Sequence, residues 1–151
     1  MQTSFLPLVR ELARTYQAFE QLSAYHIRQL GLTPPQFDVV ATLGNTPGMS
    51  CKELSEKTLI TKGTLTGVLD RLEEKGLIRR SVAEQDRRSI FIALTGQGEA
   101  VFDSVFPSHL DYMEKAFEPF CAEDMNALRE GLARLRMAFT KTCEENRLAN
   151  R

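Results

Sequence analysis

Apolar residues recur at three- and four-residue steps through most of this chain and switch to an alternation of two only once, near its middle. From residue 5 to about 30, Leu8, Leu12, Tyr16, Phe19 and Leu22 mark one stripe that His26 and Leu30 continue. Arg10, Glu11, Arg14 and Gln17 lie between them, so the segment reads as a long amphipathic helix stopped by Gly31. Thr33-Pro34-Pro35-Gln36 then combines a capping box with prolines at the first helical positions. The helix it starts runs to about Leu43, with Phe37, Val40, Ala41 and Leu43 as its buried side. After the turn cluster 44–48, Ser50-Cys51-Lys52-Glu53 is a second capping box, opening a short helix to about Lys57.

Residues 61–95 hold the switch of period. Leu65, Val68, Leu69 and Leu72 form a single helical stripe, and Lys62, Thr64, Thr66, Asp70 and Arg71 occupy the other face. Thr61 suits the N-cap and Gly76 the left-handed position past the last turn. Two β-prone runs follow, Ile78 to Val82 and Ser89 to Leu94, the second alternating with Ile90, Ile92 and Leu94 on one face. Helix, glycine, strand, arginine-tipped loop and strand make a winged helix-turn-helix, with residues 61–95 as recognition helix and wing.

Beyond the wing, Thr95 can cap another long helix whose apolar side is Val101, Phe102, Val105, Phe106, Leu110, Met113 and Phe117. Pro107 predicts a kink near 103–107. Residues 119–122 make a turn, and Glu123 and Asp124 favour the positive end of a last helix. Met125, Leu128, Leu132, Leu135, Phe139 and Cys143 give that helix a regular stripe, and the tail from Glu144 is expected to fray. The fold class is therefore mainly α with a small β-hairpin wing. Residues 33–95 form the winged lobe, and 1–32 with 96–151 supply helices whose stripes need partners. A homodimer meets that need and presents two reading heads, about 34–36 Å apart, to a pseudo-palindromic DNA site.

Charge changes this picture little. The chain carries 19 Lys/Arg and 20 Asp/Glu, a formal net charge of −1. The balance is local: residues 51–95 hold nine basic against seven acidic residues, and 96–151 hold seven against ten. Basicity thus collects around the wing, which permits a DNA partner without demanding one. No apolar run approaches the ~20 residues of a membrane span, and the N-terminus lacks a signal-peptide pattern. Three scattered cysteines form neither a disulfide framework nor a metal pair, so the expected compartment is the cytoplasm and no cofactor is expected. With only His26 and His109 as histidines, a metal site is not expected either. No nucleophile–base pair or Gly-rich phosphate loop suggests an enzyme.

The segments LTPPQFDVVATL, SCKELSEKT, TKGTLTGVLDRLEEKGLIRR and DRRSIFIALTGQG together resemble the MarR family (multiple antibiotic resistance regulators), over essentially the whole chain. That resemblance implies a homodimeric transcription regulator, its terminal helices forming the interface. It assigns a minor-groove role to Arg88, oriented by Asp86 two residues earlier. A guanidinium suits the narrow, electronegative minor groove of A·T-rich DNA, and a nearby carboxylate lowers the entropy lost on docking. Lys62, Thr64, Thr66 and Arg71 are placed to reach base edges and phosphates, with Ser50 and Thr61 beside them. Arg79, Arg80 and Arg87 are expected on phosphates. Gly67, on the outward face, allows close backbone approach but removes one possible base reader.

The resemblance also implies release by a small aromatic or anionic effector, for which Tyr16, Phe19, Tyr25, His26, Phe37 and Phe106 are the candidate lining, though all are also good core residues. A redox trigger is the rival, with Cys51 near a helix start as its candidate, against the simpler reading of a small packed residue. From another class, the near-neutral surface suits a winged-helix protein-interaction module without DNA binding, which salt-dependent retention on duplex DNA distinguishes.

Overall fold

A computed structural model describes residues 4–58, 60–83 and 86–150; for 83 and 86–88 only the backbone is described. The chain divides into two units, residues 1–113 and 114–151. In the first, helix α1 spans Leu6–Gln29, α2 Pro34–Leu43, strand β1 Met49–Ser50, α3 Cys51–Thr58, α4 Lys62–Glu74, β2 Ile78–Ala83 and β3 Asp86–Leu94. Helix α5, Gly96–Glu114, closes it, and α6, Ala122–Ala149, makes up most of the second.

Local signals set most boundaries. At the end of α1, Gly31 takes a φ of +81° and Leu32 N–H returns to the Ile27 carbonyl at 3.4 Å. The capping box at α2 is closed in both directions: Gln36 N–H donates to Thr33 Oγ1 at 3.4 Å, and Thr33 N–H to Gln36 Oε1 at 3.1 Å. Gln36 Oε1 also accepts from Lys75 Nζ at 3.3 Å, and the same ammonium reaches the Gly31 carbonyl. The end of α4 is thereby tied to the α1–α2 junction, and the buried amide is satisfied. At α3, Glu53 N–H donates to Ser50 Oγ at 3.1 Å.

The three strands form one antiparallel sheet in the order β1-β3-β2. Ile78 faces Leu94, Arg80 faces Ile92 and Val82 faces Ile90, while Met49 of β1 meets Ile92 from the other side. The core packs Val39, Val40, Leu43, Leu54, Leu65, Leu69 and Leu72 of the helices against Ile78, Ile92 and Leu94 of the sheet. Phe102 and Val105 of α5 close it.

The junction of wing and α5 is tightly built. Thr95 N–H donates to the Leu77 carbonyl at 3.0 Å, its hydroxyl donates to the Gly76 carbonyl at 2.6 Å, and Gly98 N–H donates to the same hydroxyl at 3.0 Å. A Cβ on Gly98 would lie 1.9 Å from the Leu77 carbonyl oxygen, so only glycine lets α5 sit this close to the wing's base.

Several expectations change. The strand β1 was not foreseen. Val39, fully buried, replaces Ala41 on the inner side of α2, and Phe37 is only half-buried. In α5 the buried stripe is Phe102, Val105 and His109, whereas Leu110 is exposed; Phe117, expected on the same helix, lies beyond its end and is exposed too. Helix α6 does not fray at Glu144 but runs to Ala149. It starts at Cys121, whose N–H donates to Asp124 Oδ2 at 3.1 Å, and its Leu128, Leu132 and Phe139 are exposed on the single chain. Along α1, Leu8, Tyr16 and Phe19 are exposed too; only Ile27 of that helix is buried.

Candidate nucleic-acid interface

Helix α4 divides cleanly by face. Leu65, Leu69 and Leu72 are buried, while Thr61, Lys62, Thr64, Thr66, Gly67 and Arg71 are exposed. The polar residues thus stand on one outward surface because the leucine spacing pulls the opposite side into the core. Thr61 occupies the N-cap without a side-chain bond to the backbone; its hydroxyl donates to Thr64 Oγ1 at 3.2 Å. The Thr66 hydroxyl donates back to the Lys62 carbonyl at 3.3 Å. Alongside α4 runs a groove of about 340 Å³ lined by Thr33, Pro35, Gln36, Thr64, Gly67, Val68 and Arg71. The open Gly67 surface, where an added Cβ meets nothing within 4 Å, lets a ligand backbone approach it closely.

The wing arginines separate. Arg79 is exposed and, among the described residues, makes no ion pair. Arg80 lies on the same side of β2 as Ile78, and its guanidinium reaches back to α4. Nη1 pairs with Asp70 at 2.7 Å and Nε donates to Glu73. The two carboxylates hold the Arg80 pKa above its ordinary value, first through the Asp70 hydrogen bond and then through that of Glu73. Arg80 is therefore already engaged between wing and recognition helix, not held out towards phosphates. The side chains of Asp86, Arg87 and Arg88 lie outside the described residues; their backbone opens β3, beyond a register shift at Val82/Ala83. Ser50 is half-buried, its hydroxyl committed to capping α3.

The six candidate effector residues do not gather at one place. Tyr16, Phe19 and Tyr25 are 59%, 51% and 62% exposed, too open on the single chain to enclose a molecule. Phe106 stacks on Phe102 at 5.0 Å between ring centroids. His26 and Phe37 do meet, through a residue weighed only as a metal ligand. His109 of α5 lies edge-on to Phe37 at 4.7 Å and places its Nδ1 3.0 Å from His26 Nδ1. Tyr112 stacks on His26 at 4.2 Å. The signal for His109 and Tyr112 was present in the sequence: they continue the Phe102, Val105, Phe106 stripe at three-residue steps. Cys51 is half-buried and packs against the core. Among the described residues no cluster of three metal-ligating side chains occurs. No helix among them is long and apolar enough to cross a membrane.

Comparison with known proteins agrees with this geometry. The MarR family profile matches residues 32–90, from the start of α2 into the wing. The chain is 28% identical to the HTH-type transcriptional regulator MhqR of Bacillus subtilis, over 89% of this chain and 93% of that protein. It is 33% identical to an uncharacterized HTH-type transcriptional regulator of Bacillus cereus, over 75% of each. Among solved structures, Sco3205 of Streptomyces coelicolor, a MarR family transcriptional regulator in complex with DNA, superposes with a TM-score of 0.83. The match is 24% identical and covers 91% of this chain and 89% of that one, which supports the fold. With its helix-turn-helix, its wing and these relatives together, the chain belongs to the MarR family of winged helix-turn-helix transcription regulators.

Proposed function

We propose that this protein acts in the cytoplasm as a homodimeric repressor on a pseudo-palindromic operator, and that it is not an enzyme. The observation that carries the reading is the division of α4, with every apolar residue turned inward and Lys62, Thr64, Thr66 and Arg71 on one exposed surface beside the wing. Such a surface fits the major groove, where Arg71 and Lys62 can meet guanine edges or phosphates and the threonines either. Arg79 and Arg87 serve phosphates, and Arg88, oriented by Asp86, enters the minor groove. Arg80 holds the wing against α4 through Asp70 and Glu73, so that helix and wing dock as one rigid unit.

Dimerisation has its own support. Leu8, Tyr16 and Phe19 of α1 and Leu128, Leu132 and Phe139 of α6 leave long apolar stripes uncovered on one chain. A second copy covers both at once under twofold symmetry. In this division of labour residues 1–32 and 96–151 make the dimer and 33–95 read DNA. Release by a small aromatic or anionic molecule belongs to the same reading, with His26 and Phe37 the candidates that already face a shared cluster.

Selection of bound duplexes from a random pool tests this function. An inverted repeat with half-site centres one helical turn apart is the expected product. A protein that stays dimeric yet enriches no duplex at low salt would instead be a protein-interaction module.

A further inference from the structure

Within the first unit, α1, α2 and α5 meet at a polar cluster that the DNA-binding surface does not use. His109 is buried at 7% exposure, and both its ring nitrogens are engaged: Nδ1 with His26 Nδ1 at 3.0 Å and Nε2 with Ser23 Oγ at 3.1 Å. Tyr112 covers the His26 ring, and Phe37 closes the edge of His109. We propose that the His26–His109 pair is a proton-binding clasp between α1 and α5, and that its second added proton opens the clasp and weakens DNA binding. The second half of this proposal rests on the operator-binding reading above; the first half does not.

Proton counting gives the mechanism. A neutral imidazole has one donor and one acceptor nitrogen. Two Nδ1 atoms at 3.0 Å can share only one proton, so one ring donates and the other accepts. The Ser23 hydroxyl fits either arrangement, since it can accept from a protonated Nε2 of His109 or donate to a bare one. A first added proton leaves the bond intact, because a ring protonated at both nitrogens still donates from Nδ1 to a neutral partner. Burial penalises the charge on His109, whose pKa is lowered. A second added proton makes both Nδ1 atoms donors. Two cations then face each other at contact distance with no acceptor between them, and the rings must part.

The surroundings offer no relief. The groups in contact are Ser23 and His26 from α1, Phe37 from α2 and Tyr112 from α5. The charged residues adjoining these in sequence are Arg28 of α1, Asp38 of α2 and Asp111 of α5. The His109 pKa is lowered by burial first and by the His26 charge second. Asp38 is itself pushed upward by burial, which disfavours its anionic form.

Opening reaches the DNA-binding unit through α5. His109 lies about 16 Å along the helix axis from Gly98, which is seated on the Leu77 carbonyl at the wing's base. Freeing α1 from α5 at one end therefore loosens the support of the wing at the other. The sign is diagnostic. Protonating histidines adds positive charge, which alone would strengthen attraction to DNA. The clasp predicts the opposite.

The test measures affinity of the full-length protein for the selected duplex at pH 7.5 and 5.5 and constant ionic strength, with ¹⁵N NMR titration of the imidazoles without DNA. Wild-type affinity is expected to fall by more than either variant's does, towards the limit of about tenfold that one proton bound one unit more weakly in the complex reaches below both of its pKa values. His26→Gln and His109→Phe, which remove the second charge, should each change by less than about twofold over the same range. If either variant folds poorly, the other makes the same comparison. Wild-type affinity that holds or rises on acidification, or variants that follow the wild type, would overturn the proposal. In the NMR titration two separated steps are expected, the lower one lost in His26→Gln; two histidines titrating independently would overturn the clasp itself. A protein with coupled histidines that binds no duplex at any pH would refute the operator reading and leave the clasp standing.

Discussion

Arg79 and Arg80 are adjacent and chemically identical, yet the alternation of β2 sends them to opposite faces, and their roles should separate in a salt titration. Each phosphate contact neutralised by the protein contributes about 0.9 to the slope of log affinity against log salt. In a dimer the contact occurs twice, so Arg79→Gln should flatten the slope by about 1.8. For Arg80 the useful variant is Arg80→Gln combined with Asp70→Asn, which leaves the net charge of the Asp70–Glu73–Arg80 group unchanged. If Arg80 is spent on the carboxylates, this pair of changes leaves the slope within about 0.5 of the wild type while affinity falls because the wing is less well held. The carboxylates are 51% and 42% exposed, so the lost ion pairs cost only about 0.2–1 kcal/mol each in stability. Fluorescence anisotropy with a labelled duplex between low and moderate salt gives both quantities. A slope that drops as far for the double variant as for Arg79→Gln would show Arg80 on a phosphate and refute the buttress.

Gly98→Ala should cost about 3 kcal/mol or more in unfolding experiments, because its Cβ would stand 1.9 Å from a backbone oxygen that cannot yield without moving the wing; an unchanged melting temperature would contradict that packing. Arg88→Ala should weaken operator binding and remove the preference for A·T pairs at the half-site flanks; equal discrimination by mutant and wild type across those flanks would reject the minor-groove role. Folding stability should fall as pH drops below 6.5, the ordinary histidine value. His109 binds its proton more weakly folded than unfolded, so its contribution is complete above 6.5 and lost down to its lowered folded pKa. A wild type and a His109→Phe variant with parallel stability profiles from pH 7.5 to 5 would contradict it.

What could be read from the sequence was what local chemistry decides. The Thr33–Gln36 box, Gly31 and Gly76 past their helices, the cap at Thr95 and the alternation that buries Ile92 and Leu94 all act within a few residues, and the structure uses each of them, although Ile90 in the same alternation stays exposed. Strand β1 is two residues long and exists only because β3 pairs with it, which no local pattern signals. A hydropathy stripe places Leu110 in the core ahead of His109, because an apolar residue outranks a histidine there. The structure reverses them by giving His109 partners for both nitrogens. Arg80 was legible in principle: residues 78, 80 and 82 share one face of a strand, so an arginine between Ile78 and Val82 points where its neighbours point. The stripes of α1 and α6 stay exposed on the single chain, so no contact within it accounts for their apolar pattern among the described residues.

The central claim is that a dimer places two α4–wing units on one duplex, and sedimentation equilibrium with a selected duplex tests it most directly. Two chains per duplex are predicted, with affinity lost when about five base pairs are inserted between the half-sites, since this turns one half-site to the opposite side of the DNA. One chain per duplex, or binding indifferent to that insertion, would contradict the account.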